Sequence, residues 1–278
     1  MQRFPSPPPE RTINLPAYFS RIGYAGPREP SFAVLRDLQL AHVTSIPFEN
    51  LDVLLKRGVC LEPEAVEQKL VTDRRGGYCF EQNSLFLRVL QSLGFSVTPL
   101  AARVRLGRSR EEIPPRTHLF LRVDIAGTAW MADVGLGGLS LTSPIRLDVF
   151  EEQPTLHETR RLVPVGRGLI HQARMGGEWI DVTEFTGEEM FPIDRELANW
   201  WTSTSPNSKF AQNIMVGLAR PDGSRFALNN TEFVHRRASD GALLANETIT
   251  SSERLLDLLA TRYGLRFPEQ TKFGLFGL

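Results

Sequence analysis

Two cysteines and five histidines bound the nucleophilic chemistry open to this chain. Cys79 lies in Arg74-Arg-Gly-Gly-Tyr-Cys-Phe-Glu-Gln-Asn83. Gly76 and Gly77 read as a flexible approach to a helix whose apolar stripe is Phe86, Val89, Leu90 and Leu93, with Gly94 as its stop. That spacing puts Cys79 at or beside the first residue of the helix. Unpaired N–H groups and the positive end of the helix dipole favour a thiolate there. Free cysteines are more often packing residues, so Cys79 alone leaves both readings open. A reactive cysteine also needs a base, and the base needs a group that orients it.

Among His42, His118, His157, His171 and His235, the hairpin geometry singles out His118. Leu119, Leu121, Val123 and Ile125 alternate onto one face of a strand, and Ala126-Gly127 is a two-residue turn. His118 then falls opposite Gly135. Asp133 becomes its diagonal neighbour on the same face, about 7–8 Å away and within side-chain reach. A carboxylate beside an imidazole fixes its tautomer and stabilises the imidazolium, which in turn stabilises a thiolate. By itself this is an ordinary cross-strand polar pair. Combined with a cysteine at a helix start, it makes Cys79, His118 and Asp133 the candidate triad. Cys60 and His42 read as packing residues, and His157 and His171 have no identifiable partners. Cys60 and Cys79 lack the histidine pair of a zinc site, so no metal is expected. Asp133-Val-Gly-Leu-Gly-Gly138 lacks the lysine and the helix of a nucleotide fingerprint and reads as a glycine turn leaving a strand.

The elements that must position these groups fall into three parts. Residues 1–12, with prolines at 5, 7, 8 and 9, form an extended leader. Residues 1–93 read as a helical bundle carrying the nucleophile. One helix follows Pro30, with Phe32, Leu35, Leu38 and His42 on a face, and another opens at Pro63-Glu64, with Val66 and Leu70 inward. Residues 94–192 read as a barrel of antiparallel strands carrying His118 and Asp133. Its strands are expected at 95–106, where Pro99 marks an edge or bend, and at 118–125, 128–134, 161–165, 170–175 and 179–184. Residues 193–278 comprise a connecting helix over 194–201, brief strands at 214–218, 224–228, 232–237 and 242–248, and a closing helix. Thr250-Ser-Ser-Glu253 supplies a capping box for that helix, and Gly264 stops it. The Phe- and Gly-rich tail 267–278 suits a lid over the cleft or an interface equally, which leaves monomer and homodimer open.

Lys and Arg total 32 against 32 Asp and Glu, so the formal charge is zero and no global field favours nucleic acid or an anionic membrane. With 41% hydrophobic residues there is enough apolar content for a core. No run approaches the ~20 apolar residues that span a bilayer, and the start lacks a signal-peptide run. Two cysteines suit a reducing compartment. A cytoplasmic globular protein is the expectation.

Several segments, in order, resemble the arylamine N-acetyltransferases. Arg75-Gly-Gly-Tyr-Cys-Phe-Glu-Gln-Asn83 resembles the segment of their active-site cysteine. Tyr18-Phe-Ser-Arg-Ile-Gly-Tyr-Ala-Gly26 and Ile46-Pro-Phe-Glu-Asn-Leu-Asp52 resemble their N-terminal signatures. Thr117-His118, Asp133-Val-Gly and Ser203-Thr-Ser-Pro-Asn-Ser-Lys-Phe210 resemble later ones. The resemblance runs from about residue 15 to the end. It implies an α+β architecture: an N-terminal helical bundle, a central antiparallel β-barrel and a C-terminal α/β lid around a cysteine-protease/transglutaminase-like catalytic core. It implies acetyl-CoA as acyl donor and arylamines, arylhydrazines and N-hydroxyarylamines as acceptors, through an acetyl-cysteine. By motif position, Phe48, Val104 and Phe210 resemble substrate-pocket residues, and Thr117, Gly135 and Gly137 resemble positions that approach CoA. Leu136 is a departure, since the resemblance leads one to expect phenylalanine there in many members. An amide synthase or a cysteine hydrolase with the same triad is the alternative.

Overall fold

The computed structural model describes residues 13–274; the proline-rich leader and the last four residues lie outside this range. The chain opens with α1 (Leu15–Ile22) and α2 (Phe32–Ser45), followed by the two-residue strand β1 (Phe48–Glu49) and the short α3 (Leu51–Leu54). α4 (Pro63–Glu67) runs into a widened turn, Gln68–Thr72, and α5 (Cys79–Ser92) follows. Asn14 and Ser31 cap α1 and α2 by accepting from Ala17 N and Val34 N, which satisfies first-turn donors that have no intrahelical partner. The widened turn after α4 was not foreseen. It swings Lys69 toward Asp52 and Glu81, whose carboxylates lie 2.7 Å from its ammonium.

Seven antiparallel strands form the nearly closed barrel. They are β2 (Ser96–Val104), β3 (His118–Ile125), β4 (Thr128–Ala132), β5 (Ile145–Arg146), β6 (Arg160–Val165), β7 (Gly168–Met175) and β8 (Glu178–Phe185), in the order β5-β4-β3-β2-β8-β7-β6. Pro99 has the locally edge-like place expected of a residue without an N–H. β2 pairs with β3 over 96–102, while β8 joins only at Arg103 and Val104. Ala126 and Gly127 take positive φ of 49° and 80°, as a two-residue hairpin turn matching strand twist requires. The ladder Leu121↔Ala132 to Ile125↔Thr128 follows from that turn. β4 ends at Ala132, two residues sooner than the alternation suggested, because Val134 N donates to Asn83 Oδ1 rather than to a strand.

After α6 (Pro192–Thr204) and α7 (Lys209–Gln212) come β9 (Met215–Ala219), β10 (Ser224–Asn229), β11 (Glu232–Arg237), β12 (Leu243–Thr248) and α8 (Ser252–Tyr263). These strands form a second antiparallel sheet, β1-β9-β10-β11-β12, so β1 of the helical part is its edge. α8 is capped by Ser251, whose side chain accepts from Arg254 N, one residue later than the expected Thr250 box. Ser251 is the residue with extended backbone, φ −147°, and an extended N-cap is what aims the hydroxyl at the third helical N–H. Within the described tail, Phe267 and Phe273 pack into the apolar cluster of the second sheet and α8.

His42 is fully buried, as a packing residue should be, but it is also bonded on both nitrogens, to Tyr18 Oη at 2.8 Å and Gln82 Oε1 at 2.7 Å. Gln82 spends its amide N–H groups on Pro47 O and Gly77 O. Its oxygen therefore faces His42, which sets the Nε2–H tautomer. Burial pushes this imidazole down to about 4, so it is neutral and purely structural. Cys60 is exposed rather than packed, and it lines a separate cavity of about 330 Å³ beside α5 and α6. The segment 55–62 that carries it is loop, and no apolar cluster includes it. His157 and His171, which lacked visible partners in sequence, are buried against Ser224 O (3.2 Å) and Arg160 Nη1 (3.4 Å).

Candidate active site

Cys79 is the first residue of α5, so its N–H has no carbonyl within the helix to pair with. The approach to it is clamped rather than flexible. Glu49 N donates to Gly77 O at 3.1 Å, and Glu81 Oε2 accepts from Tyr78 N at 3.0 Å. A Cβ on Gly76 would stand 2.1 Å from Pro47 O, so glycine there answers a close backbone approach. Beneath the loop, Arg75 reaches Glu49 Oε1 (2.6 Å) and Asp52 Oδ1 (3.2 Å), and Lys69 bridges Asp52 and Glu81. Tyr78 Oη donates to Asn199 Oδ1 of α6. The helix start is thereby held from three directions.

His118 opens β3 and is 1% exposed; Asp133, just beyond β4, is wholly enclosed. Their Nε2···Oδ2 separation is 2.6 Å, a charge-assisted hydrogen bond. The Cys79 thiol interacts with the imidazole; it is 4% exposed and 3.7 Å from Thr117 O. Burial alone would lower the imidazole, but the Asp133 carboxylate and then the Cys79 sulphur outweigh it and push His118 up to about 10. An imidazolium between carboxylate and sulphur is the state that sustains a thiolate.

Asn83 was not singled out from sequence, although it follows Cys79 by one helical turn and shares its face. Its Nδ2 donates to Asp133 Oδ1 (2.9 Å) and Leu119 O (2.7 Å), and its Oδ1 accepts from Val134 N (3.0 Å). Gly135 N adds a further donor to Asp133 Oδ1 at 2.9 Å. One carboxylate oxygen is thus saturated by fixed donors, which leaves the other for the imidazole. Two amides three and four residues after the cysteine, Gln82 and Asn83, were the available signal; both are fully buried.

A cavity of about 290 Å³ opens at Cys79 and His118. Phe48, Val104 and Phe210 line it, as do Thr117, Gly135 and Gly137; Asp133 stands behind His118 and does not. The Phe48 and Phe210 ring centroids are 6.1 Å apart. Leu136, Met215 and Trp201 extend the apolar wall, while Arg108 and Lys209 contribute positive charge. None of the described tail lines the cavity. A mostly apolar chamber ending on a nucleophile, a base and an unpaired N–H suits acyl transfer to a flat, neutral acceptor. A helix that presents cysteine to a sheet bearing histidine and aspartate is a cysteine-protease-like core.

The profile of a family described as N-acetyltransferase matches residues 31–272. A Salmonella typhimurium protein named arylamine N-acetyltransferase / N-hydroxyarylamine O-acetyltransferase is 39% identical over 91% of this chain and 89% of its own length. Among solved structures, the arylamine N-acetyltransferase from M. tuberculosis superposes with a TM-score of 0.86 at 39% identity, over 90% of this chain and 93% of that one. The Mycobacterium marinum arylamine N-acetyltransferase, solved in complex with CoA, gives 0.86 at 36%, over 90% and 92%.

Proposed function

This chain belongs to the arylamine N-acetyltransferase family, a family of acyltransferase enzymes, and from that premise we propose that it carries acetyl groups from acetyl-CoA to arylamines and arylhydrazines on Cys79. The observation that carries the reading is His118, bonded through Nε2 to the enclosed Asp133 and interacting with Cys79 at the head of the cavity. Two free thiols suit the cytoplasm.

In the first half-reaction the Cys79 thiolate attacks the thioester carbonyl, and the oxyanion meets the unpaired Cys79 N–H. The carbon–sulphur bond to CoA breaks, and His118 Nδ1–H gives its proton to the departing thiolate. Asp133 keeps Nε2 protonated throughout. In the second half-reaction the amine lone pair attacks the acetyl-cysteine carbonyl. An arylamine is weakly basic and mostly neutral near pH 7, so that lone pair needs no prior deprotonation. His118 Nδ1 takes the amine proton as the Cys79 thiolate leaves, which restores the starting ion pair. Two half-reactions through a covalent intermediate give ping-pong kinetics. In this scheme Phe48, Val104 and Phe210 grip the aromatic ring, and Thr117, Gly135 and Gly137 border the path of the CoA arm.

CoA release from acetyl-CoA, followed with and without aniline, tests the assignment. Beyond a first burst of one CoA per enzyme, release should require the amine, match N-acetyl product one for one, and vanish in Cys79→Ala. Release that proceeds equally without amine would make the protein a hydrolase, and activity surviving in Cys79→Ala would remove the nucleophile.

A further inference from the structure

The backbone from Asp133 to Leu141 closes on itself, with Leu141 N donating to Asp133 O at 3.0 Å. Ser140 Oγ fills its centre, accepting from Leu136 N at 2.9 Å and lying 3.2 Å from Gly137 O. At one end the loop is tied to the triad through Asn83 and Asp133. At the other, the carbonyls of Leu139 and Ser140 each accept from a guanidinium: Arg160 Nη2 at 3.0 Å and Arg225 Nη2 at 3.0 Å. Arg160 stands on β6 of the barrel and Arg225 on β10 of the second sheet. Glu158 joins them, with Oε2 2.8 Å from Arg160 Nη2 and 2.7 Å from Arg225 Nη2, and Oε1 2.5 Å from Arg225 Nε. All three side chains are buried.

Buried ion triads commonly add little net stability, because desolvation offsets attraction. What this one does fix is geometry. The loop between its two anchors supplies Gly135, Leu136, Gly137, Gly138 and Leu139 to the cavity wall. We infer that Glu158 is a positioning residue: by holding Arg160 and Arg225 on the carbonyls of Leu139 and Ser140, it sets the wall against which both substrates bind. The two guanidiniums in turn hold Glu158 ionised against its burial, pushing it down to about 2, so the clamp persists across the neutral range. The inference rests on the proposed acetyl transfer for its kinetic readout, though not for its structural one.

Loss of Glu158 leaves two buried cations to repel each other and frees the 139–140 end, while Asn83 and Gly135 N still fix Asp133. Binding should therefore suffer without the reacting groups. In folded Glu158→Gln, KM for the arylamine should rise on the order of tenfold, with kcat and the rate of Cys79 alkylation by iodoacetamide within about threefold of wild type. Glu158→Asp should recover part of the KM. Ser140→Ala, which loosens the loop without unbalancing charge, should show the same KM-selective loss and serves if Glu158→Gln does not fold. Equal KM in folded variants overturns the inference, as does a joint fall of kcat and alkylation with KM. If wild type itself acetylates nothing, the functional reading fails separately. Hydrogen exchange at residues 136–139 then decides: acceleration in the variants upholds the clamp, and unchanged protection refutes it.

Discussion

Asp133→Asn is expected to lower kcat/KM by about 10³–10⁴-fold in a protein that remains folded, the scale set by losing a tautomer-fixing carboxylate in other nucleophile–imidazole systems. Asparagine has the shape of aspartate, but its two ends differ. Asn83 Nδ2 and Gly135 N both donate to Oδ1, so the amide oxygen must take that side and its NH₂ must face His118. Nε2 then has to accept, the proton moves to Nδ1, and the ring can no longer take a proton from the thiol. The imidazolium that Asp133 sustains, with His118 pushed up to about 10, is lost with it. Two assays check this: steady-state kinetics, and iodoacetamide alkylation of Cys79, which should be slower in the variant than in the wild type. Activity within tenfold of wild type would mean that Asp133 is an ordinary buried carboxylate.

The second large effect comes from a single methyl group. A Cβ on Gly135 would lie 2.6 Å from Cys79 Cα and 2.6 Å from Asn83 Nδ2. Neither can yield cheaply, since one is backbone at the start of α5 and the other is committed to Asp133 and Leu119. Gly135→Ala must therefore push the nucleophile and the aspartate apart. Displacements near 1 Å at reacting groups cost on the order of 10²-fold, and that loss in kcat is expected here with native circular dichroism. By contrast Gly138→Ala, whose added Cβ meets only Ala227 at 3.8 Å, should stay within a few-fold. Equal behaviour of the two variants would show that the loop merely needs glycine for folding.

What the sequence discloses, and what it hides, divides along a physical line. The Ala126-Gly127 turn dictates the β3–β4 register locally, and register alone brings His118 and Asp133 to one face. Cys79 at a helix start follows likewise from Phe86, Val89, Leu90 and Gly94. Local patterns reach that far. β1 is only Phe48–Glu49, and it is a strand because β9, some 170 residues on, lies beside it; no window of residues contains that cause. Glu158 and Arg160 fall outside the strands expected from the sequence and Arg225 lies within a later one, some 65 residues on, and only the meeting of two sheets buries the three together. Gly76 invited a reading of flexibility, whereas the structure shows crowding against Pro47. Asn83 lay inside the most informative segment, yet its task is defined by a carboxylate that follows β4 of the barrel, 50 residues on. Lone residues whose partners are distant in the chain are legible by type and not by role.

The claim on which all of this turns is that Cys79 carries the acetyl group. Intact mass, recorded after brief mixing with acetyl-CoA alone, tests it most directly. The account predicts a gain of one acetyl group on the wild type, none on Cys79→Ala, and discharge of the adduct when an arylamine is added, with the acetylated amine as product. Acetylated amine formed without any protein adduct, or an equal adduct on Cys79→Ala, would contradict it.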